Sequence, residues 1–148
     1  MFHPRKVIIP VRLKDNDREV LQQLRQMEFL SGSEIHLVHV FPTATYTHYF
    51  TDFPQIYSSM PDTKTVEESI NLFLKNLASE IMPLSYQGRL ITKCLFDDPK
   101  TGFTHYVEAE KPDLVIIPTR KKRGMFESSF AQYLVKHTEA NLFLLKEA

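Results

Sequence analysis

KPDLVIIPTRKKRGMFESSF, residues 111–130, decides how this chain is read. Its first part, KPDLVIIP, is a short apolar, branched run closed by Pro118, the pattern of a strand buried on both faces. Four cations follow: Arg120, Lys121, Lys122 and Arg123. Beyond Gly124, Phe126, Phe130, Leu134 and His137 recur at spacings of four, four and three, which is one face of a helix. A strand, a loop and a helix start, in that order, is where many α/β proteins hold a phosphate. The helix N-terminus offers free amides and the positive end of its dipole.

Outward from this unit, the same alternation recurs. KVIIPV, 6–11, reads as a buried strand. Asp15 or Asn16 can cap a helix whose apolar face is Val20, Leu21, Leu24, Met27 and Leu30, stopped by SGS at 31–33. EIHLVHVF, 34–41, is a second strand, and Thr63 to about Met82 a second helix with Val66, Ile70, Phe73, Leu77 and Ile81 inward. RLITKCLF, 89–96, is a third strand. A weaker helix over 100–110 turns Phe103, Tyr106 and Val107 inward, and NLFLLK, 141–146, is the fifth strand.

The order βαβαβαβαβ predicts parallel strands joined by right-handed crossovers. The fold class is therefore α/β: a three-layer, doubly wound, Rossmann-like sheet of five mainly parallel strands with helices on both faces. Residues 1–148 are expected to form one domain. Ligands of such sheets sit outside the carboxyl ends of the strands, at the switch in strand order. Those ends are Arg12, the loop after Phe41, Asp97 with Asp98, and the stretch 118–124, and the four are expected to lie together.

Bulk composition narrows the function. The 18 basic and 18 acidic residues cancel, so no global field draws the chain to nucleic acid or membrane. Cys94, the single cysteine, cannot form an internal disulfide, which suits a reducing cytoplasm. No apolar run approaches the roughly 20 residues of a membrane helix. Neither a signal peptide nor a G-x-S-x-G elbow is found.

On KVIIPVRLKDND, EIHLVHVF and, above all, KPDLVIIPTRKKRGMFESSFAQYLVKHTEANLFLLK, the sequence resembles the universal stress protein family over nearly its whole length. The resemblance implies an adenine nucleotide α-hydrolase-like sheet and a stress-response role. It also implies a homodimer in which Asn141, Leu142, Phe143, Leu144 and Leu145 form the edge. The residues support this edge independently, since an apolar last strand with no following helix leaves one side of its ladder unpaired.

One branch of that family binds ATP through a glycine pattern. Here Pro118 stands at the first glycine and Lys121 at the second, the loop that follows is shorter, and Ser128 replaces the last glycine. Ser129 keeps the hydroxyl position, and Arg12 stands where the branch has an aspartate. Glycines let the backbone approach phosphate oxygens, proline has no N–H to donate, and a lysine side chain fills the approach. The SSFAQYL spacing is closer to the A-type branch, which lacks the glycine pattern. The expectation is a non-enzymatic, cytoplasmic, homodimeric regulatory or scaffold module with no cofactor.

Two alternatives stand beside it. The first is a nucleotide- or phosphate-binding sensor, with ATP or another nucleotide held by Arg12, Thr119, Arg120, Lys121, Arg123, Gly124, Ser128 and Ser129. Against it, the basic run reads equally as a solvated loop, and the serines as ordinary residues early in a helix. Arg12 can contact an anion or pair with Asp97 or Asp98, and the pair is expected. The second alternative is an adaptor that takes a protein partner through the aromatic loop 42–62, which includes Tyr46, Tyr49, Phe50, Phe53 and Tyr57. That loop reads also as a lid over the crevice or an Ω-loop packed on itself. Membrane and nucleic-acid partners are not expected.

The remaining candidates read as structure. Asp97 and Asp98 precede Pro99 and make a turn. His36 and His39, three apart on a strand, face opposite ways, and the six histidines form no metal spacing. Cys94 reads as a small buried hydrophobe.

Overall fold

The computed structural model describes residues 2–13, 17–42, 63–119 and 124–147, with the side chains of 124–129 left aside. Five strands, β1 (Lys6–Pro10), β2 (Glu34–Pro42), β3 (Leu90–Asp97), β4 (Leu114–Pro118) and β5 (Asn141–Leu145), form one sheet in the order β3-β2-β1-β4-β5. Every neighbouring pair is parallel. The all-parallel outcome follows from the crossovers, because consecutive strands are joined through a helical segment rather than a tight turn.

The strand order reverses once, after β3, and the crossovers change face there. Segments α1 (Asp17–Leu21) and α2 (Thr63–Ile81) cover one face, where Val7, Ile9, Ile35 and Leu37 meet Leu24, Ile70, Leu74 and Leu77. On the other face, α3 (Pro99–Glu110) and α4 (Gly124–His137) meet Ile8, Val38, Val115 and Ile117 through Phe103, Val107, Ala131 and Leu134. Alternate residues of each strand thus feed two cores, and the central strand β1 is buried on both sides.

Where the expected first helix runs on, the chain changes winding. After α1 come two 3₁₀ segments, Gln22–Gln26 and Glu28–Leu30. Leu21, Leu24, Met27 and Leu30 are spaced by three, the period of a 3₁₀ turn and a spacing that an α-helical face also allows. That winding aims Leu21, Leu24 and Leu30 fully inward, with Met27 packed beside them. The expected caps Asp15 and Asn16 lie outside the described residues. So does residues 43–62 of the aromatic loop.

The last helix departs at its end. His137 is exposed and stacks on Tyr133 at 4.2 Å, instead of pointing into the core. Leu134 and Ala131 fill that face. Pro99 begins α3, and Asp98 caps it, its carboxylate accepting from the Thr101 N–H at 3.0 Å. That fulfils the turn reading of Asp97 and Asp98 and starts the helix at the earliest position proline allows.

Candidate functional site

The reversal of strand order falls between β1 and β4, so their carboxyl ends form the crevice of this sheet. Pairing between them covers Val7 with Leu114 and Ile8 with Val115, while β1 and β2 pair over five residues. The two strands end in Pro10 and Pro118, neither of which has an N–H to extend a ladder. Beyond the prolines the chain commits outward on each side. The Val11 N–H donates to Val38 O of β2 at 2.8 Å, and the Thr119 N–H donates to Leu145 O of β5 at 2.8 Å.

One wall of the crevice is closed by a local clamp. Asp17, the first residue of α1, is 2% exposed. Its Oδ2 accepts from the Arg12 N–H at 2.7 Å and from Arg12 Nε at 3.3 Å, and its Oδ1 accepts from Nη2 at 2.8 Å. An acid in the first turn also faces the positive end of the helix. This corrects the expected pairing of Arg12 with Asp97 or Asp98. Asp97 ends β3 and Asp98 caps α3 directly after it, two strands away from β1, and neighbouring strands are about 4.8 Å apart. The carboxyl ends of the five parallel strands lie along one edge of the sheet, with the β3 end two strands from that of β1.

His39 completes this wall. Its Nδ1–H donates to the Val11 carbonyl at 2.8 Å, tying β2 to the end of β1. Burial pushes its pKa below the ordinary value, opposed by that backbone hydrogen bond and by the nearby Asp17 charge. His39 shares its face with Phe41, ring edge toward ring at 6.4 Å. His36 faces the opposite core, where it meets Tyr106 of α3, as the strand alternation requires.

Of the candidate anion residues, the structure places Arg12 and Thr119 on the two walls, and Thr119 is 8% exposed with its N–H occupied. Arg120, Lys121 and Arg123 lie outside the described residues. Gly124, Ser128 and Ser129 fall in the first turns of α4, after the crevice, as the strand–loop–helix reading expects. Asp17 and His39 were not singled out by the sequence reading. Asp17 was visible only as the last residue of KDND, where Asp15 or Asn16 reads as the cap. His39 was read only through its spacing from His36, which places the two on opposite faces of β2 and says nothing of Val11.

Among the described residues no group of three or more His, Cys, Asp or Glu is placed to hold a metal ion. Cys94 is buried on the α2 face, and burial raises its thiol to about 11, so it is held as the unreactive protonated form. No described helix is long and apolar enough to cross a membrane. A groove lined by Gln22, Arg25, Gln26, Ser79, Glu80 and Leu84 lies at the carboxyl end of α2, away from the strand ends.

A doubly wound parallel sheet with its crevice between the first and fourth strands defines a Rossmann-like α/β domain of the adenine nucleotide α-hydrolase-like kind. Within that class the chain belongs to the universal stress protein family, whose model matches residues 3–146. No curated protein matches the sequence. Among solved structures it is similar to the universal stress protein UspA from Lactobacillus plantarum, at 14% identity and TM-score 0.62, over 95% of this chain and 96% of that one. A universal stress protein family protein from Arabidopsis thaliana with AMP bound is 21% identical at TM-score 0.60, over 98% and 93% of the two chains. The universal stress protein from Archaeoglobus fulgidus in complex with dAMP is 14% identical at TM-score 0.56, over 98% and 100%. Likenesses at these identities establish the fold.

Proposed function

We propose that this chain is a non-enzymatic, cytoplasmic, homodimeric stress-response module of the A-type branch, working as a regulator or scaffold without the family's usual ATP site. The observation that carries the reading is the state of the crevice walls. The N–H of Val11 goes to Val38 O, that of Arg12 to Asp17 and that of Thr119 to Leu145 O, and Pro118 has none. Along the 118–129 stretch, where main-chain amides would meet a phosphate, the first two positions offer no free donor, and residues 120–123 lie outside the described residues. The Arg12 guanidinium, which replaces the expected aspartate, has its charge opposed at 2.8 Å by Asp17.

Titration calorimetry with ATP and with AMP at low salt tests this. The expected result is no binding tighter than about tens of micromolar, roughly 6 kcal/mol of affinity. Tighter binding that is lost in Arg120→Ala or Lys121→Ala favours a second reading, a nucleotide or phosphate sensor built on the basic loop. AMP and dAMP in two relatives of the same fold support that reading, as does the placing of the α4 start directly beyond β4. The adaptor reading through the aromatic loop is tested by deleting 44–60 and comparing pulldown partners.

The dimer belongs to the same proposal. β5 pairs with β4 on one side, and Leu144 is 42% exposed on a strand whose Leu145 is buried. A two-fold pairing of this edge with its copy satisfies both ladders at once.

A further inference from the structure

The sheet has two lateral edges, and they are built differently. β5 carries no charge between Asn141 and Leu145, and it is the edge proposed for the homodimer. β3 lies at the other edge, where nothing pairs with its outer side among the described residues. The Ile35 N–H donates to Arg89 O, so the odd-numbered residues of β3 turn their main-chain groups to β2. By the alternation of a strand, Leu90, Thr92, Cys94 and Phe96 turn theirs outward, an open row of donors and acceptors.

The side chains divide between the faces in the same rhythm. Leu90, Cys94 and Phe96 lie on the α2 face, and Leu95 lies on the α3 face. Lys93, between Ile91 and Leu95 on the α3 face, is exposed and makes no ion pair among the described residues. The Arg89 side chain, just before the strand, is 77% exposed, and the acid it faces at 3.8 Å, Glu34, also takes His36 at 2.8 Å. Leu90, Ile91, Leu95 and Phe96 are each half-buried, which leaves apolar surface on both faces for a neighbouring strand to cover.

What lies opposite Lys93 decides which strand can pair. Against an antiparallel partner, residues whose main chain points inward fall at the non-hydrogen-bonded positions, where Cα atoms are about 4.5 Å apart and side chains are closest. A second copy, laid antiparallel so that all four outward residues bond, puts its own Lys93 at that spacing. Like charges so placed repel. An acidic residue there meets a cation instead. We propose that the outer edge of β3 is a docking strand for an extended segment of a partner protein that carries Asp or Glu opposite Lys93, and that the same lysine keeps copies of this chain from joining along it. Main-chain hydrogen bonds to the open row hold the segment, and Lys93 selects it. This docking does not depend on the dimer through β5.

The test uses two short threonine–valine peptides, one with a central glutamate and one with a central lysine, added to the isotopically labelled full chain. The glutamate peptide should shift the amide NMR signals of Leu90, Thr92, Cys94 and Phe96 and slow their exchange. It should bind about three- to tenfold tighter than the lysine peptide, the effect of exchanging one opposed charge. Lys93→Glu, a change at an exposed position, should invert that preference, and added salt should narrow it. Thr92→Pro removes one outward donor from the edge and should weaken both peptides.

A second measurement pairs whole chains. In a mixture of the unaltered chain with the Lys93→Glu variant, the new acid faces Lys93 and Asp97 faces Arg89. The same four amides should therefore shift in the mixture and in neither protein alone. Peptides that leave β3 unmoved, equal binding of the two peptides, glutamate-peptide shifts that fall at 120–123 instead of β3, a mixture that behaves as its components, or self-association of the unaltered chain through β3 each overturns the docking strand.

Discussion

Asp17 receives Arg12 three times, from its backbone N–H at 2.7 Å, from Nε at 3.3 Å and from Nη2 at 2.8 Å. One carboxylate thus fixes both the path of the chain after β1 and the direction of the cation at the crevice wall. The two partners differ in burial, since the Asp17 side chain is 2% exposed and that of Arg12 33%.

That difference sets an asymmetry. Arg12→Ala strands a buried carboxylate with one backbone donor, and should cost about 2–4 kcal/mol, toward the range for a broken buried pair. Asp17→Ala leaves a guanidinium that water can reach, and should cost about 1–3 kcal/mol. Because the residues act as a unit, the double variant should lose at least about 1 kcal/mol less than the sum of the singles. Urea denaturation of the four proteins measures it, and additivity would show that the clamp carries no coupling.

Asp98 gives a pH-dependent prediction. Its carboxyl sits below the ordinary value of 3.8, chiefly because the Thr101 N–H donates to the carboxylate. A depressed folded value means that the cap stabilises above the unfolded pKa and fades as pH falls through the folded one. Asp98→Ala should therefore cost about 1 kcal/mol near neutrality, the usual loss of an exposed N-cap. The gap between the two proteins should close below about pH 4, where both states take up the proton. Thermal melts from neutrality down to acid pH follow it, and a gap that stays constant would remove the carboxylate from the cap.

Layers and strands were legible because they are written in local patterns. KVIIPV, DLVII and NLFLLK are short apolar runs, the pattern that parallel strands between helical layers use. The winding of 22–30 was missed because Leu21, Leu24, Met27 and Leu30 fit an α-helical face and a 3₁₀ row alike, and tertiary packing made the choice. The Arg12 partner was missed for a different reason. Strand order is a long-range property, and without it Asp97, at the end of the outer strand, looked as near to Arg12 as Asp17 did. The contact of His36 with Tyr106 depends on how β2 and α3 are apposed, which no spacing within either element records.

The glycines separate backbone freedom from space. A Cβ on Gly88 would lie 2.1 Å from the Ser33 carbonyl oxygen, a main-chain atom that cannot swing aside. Gly88 also donates to Ser31 O at 3.2 Å, and Tyr86 bonds the same Ser33 carbonyl through its hydroxyl, so the 31–33 and 86–88 turns are fastened together. A Cβ on Gly102 meets Asp97 Cβ at 2.6 Å, against a helix-propensity gain of about 1 kcal/mol. Gly32 has nothing within 4 Å. The order of melting-temperature loss should be Gly88→Ala, then Gly102→Ala, then Gly32→Ala, with the first costing about 2 kcal/mol or more. Calorimetric melts rank them, and a silent Gly88→Ala would contradict the close approach.

The proposed dimer can be tested without disturbing the fold, because β5 directs alternate residues at β4 and away from it. The Leu145 carbonyl accepts from the Thr119 N–H, so the main-chain groups of Leu145 point to β4. Within a strand the neighbouring residue points the other way, which places the N–H of Leu144, and by the same alternation that of Leu142, on the outer edge. Leu144→Pro removes one outward donor and leaves the β4 ladder intact, a position where an edge strand tolerates proline. The unaltered chain should sediment as a dimer at micromolar concentration and Leu144→Pro as a folded monomer with an unchanged circular dichroism spectrum. Phe143→Pro, whose N–H points inward, should instead damage the fold itself. A Leu144→Pro protein that still sediments as a dimer would move the interface away from this edge.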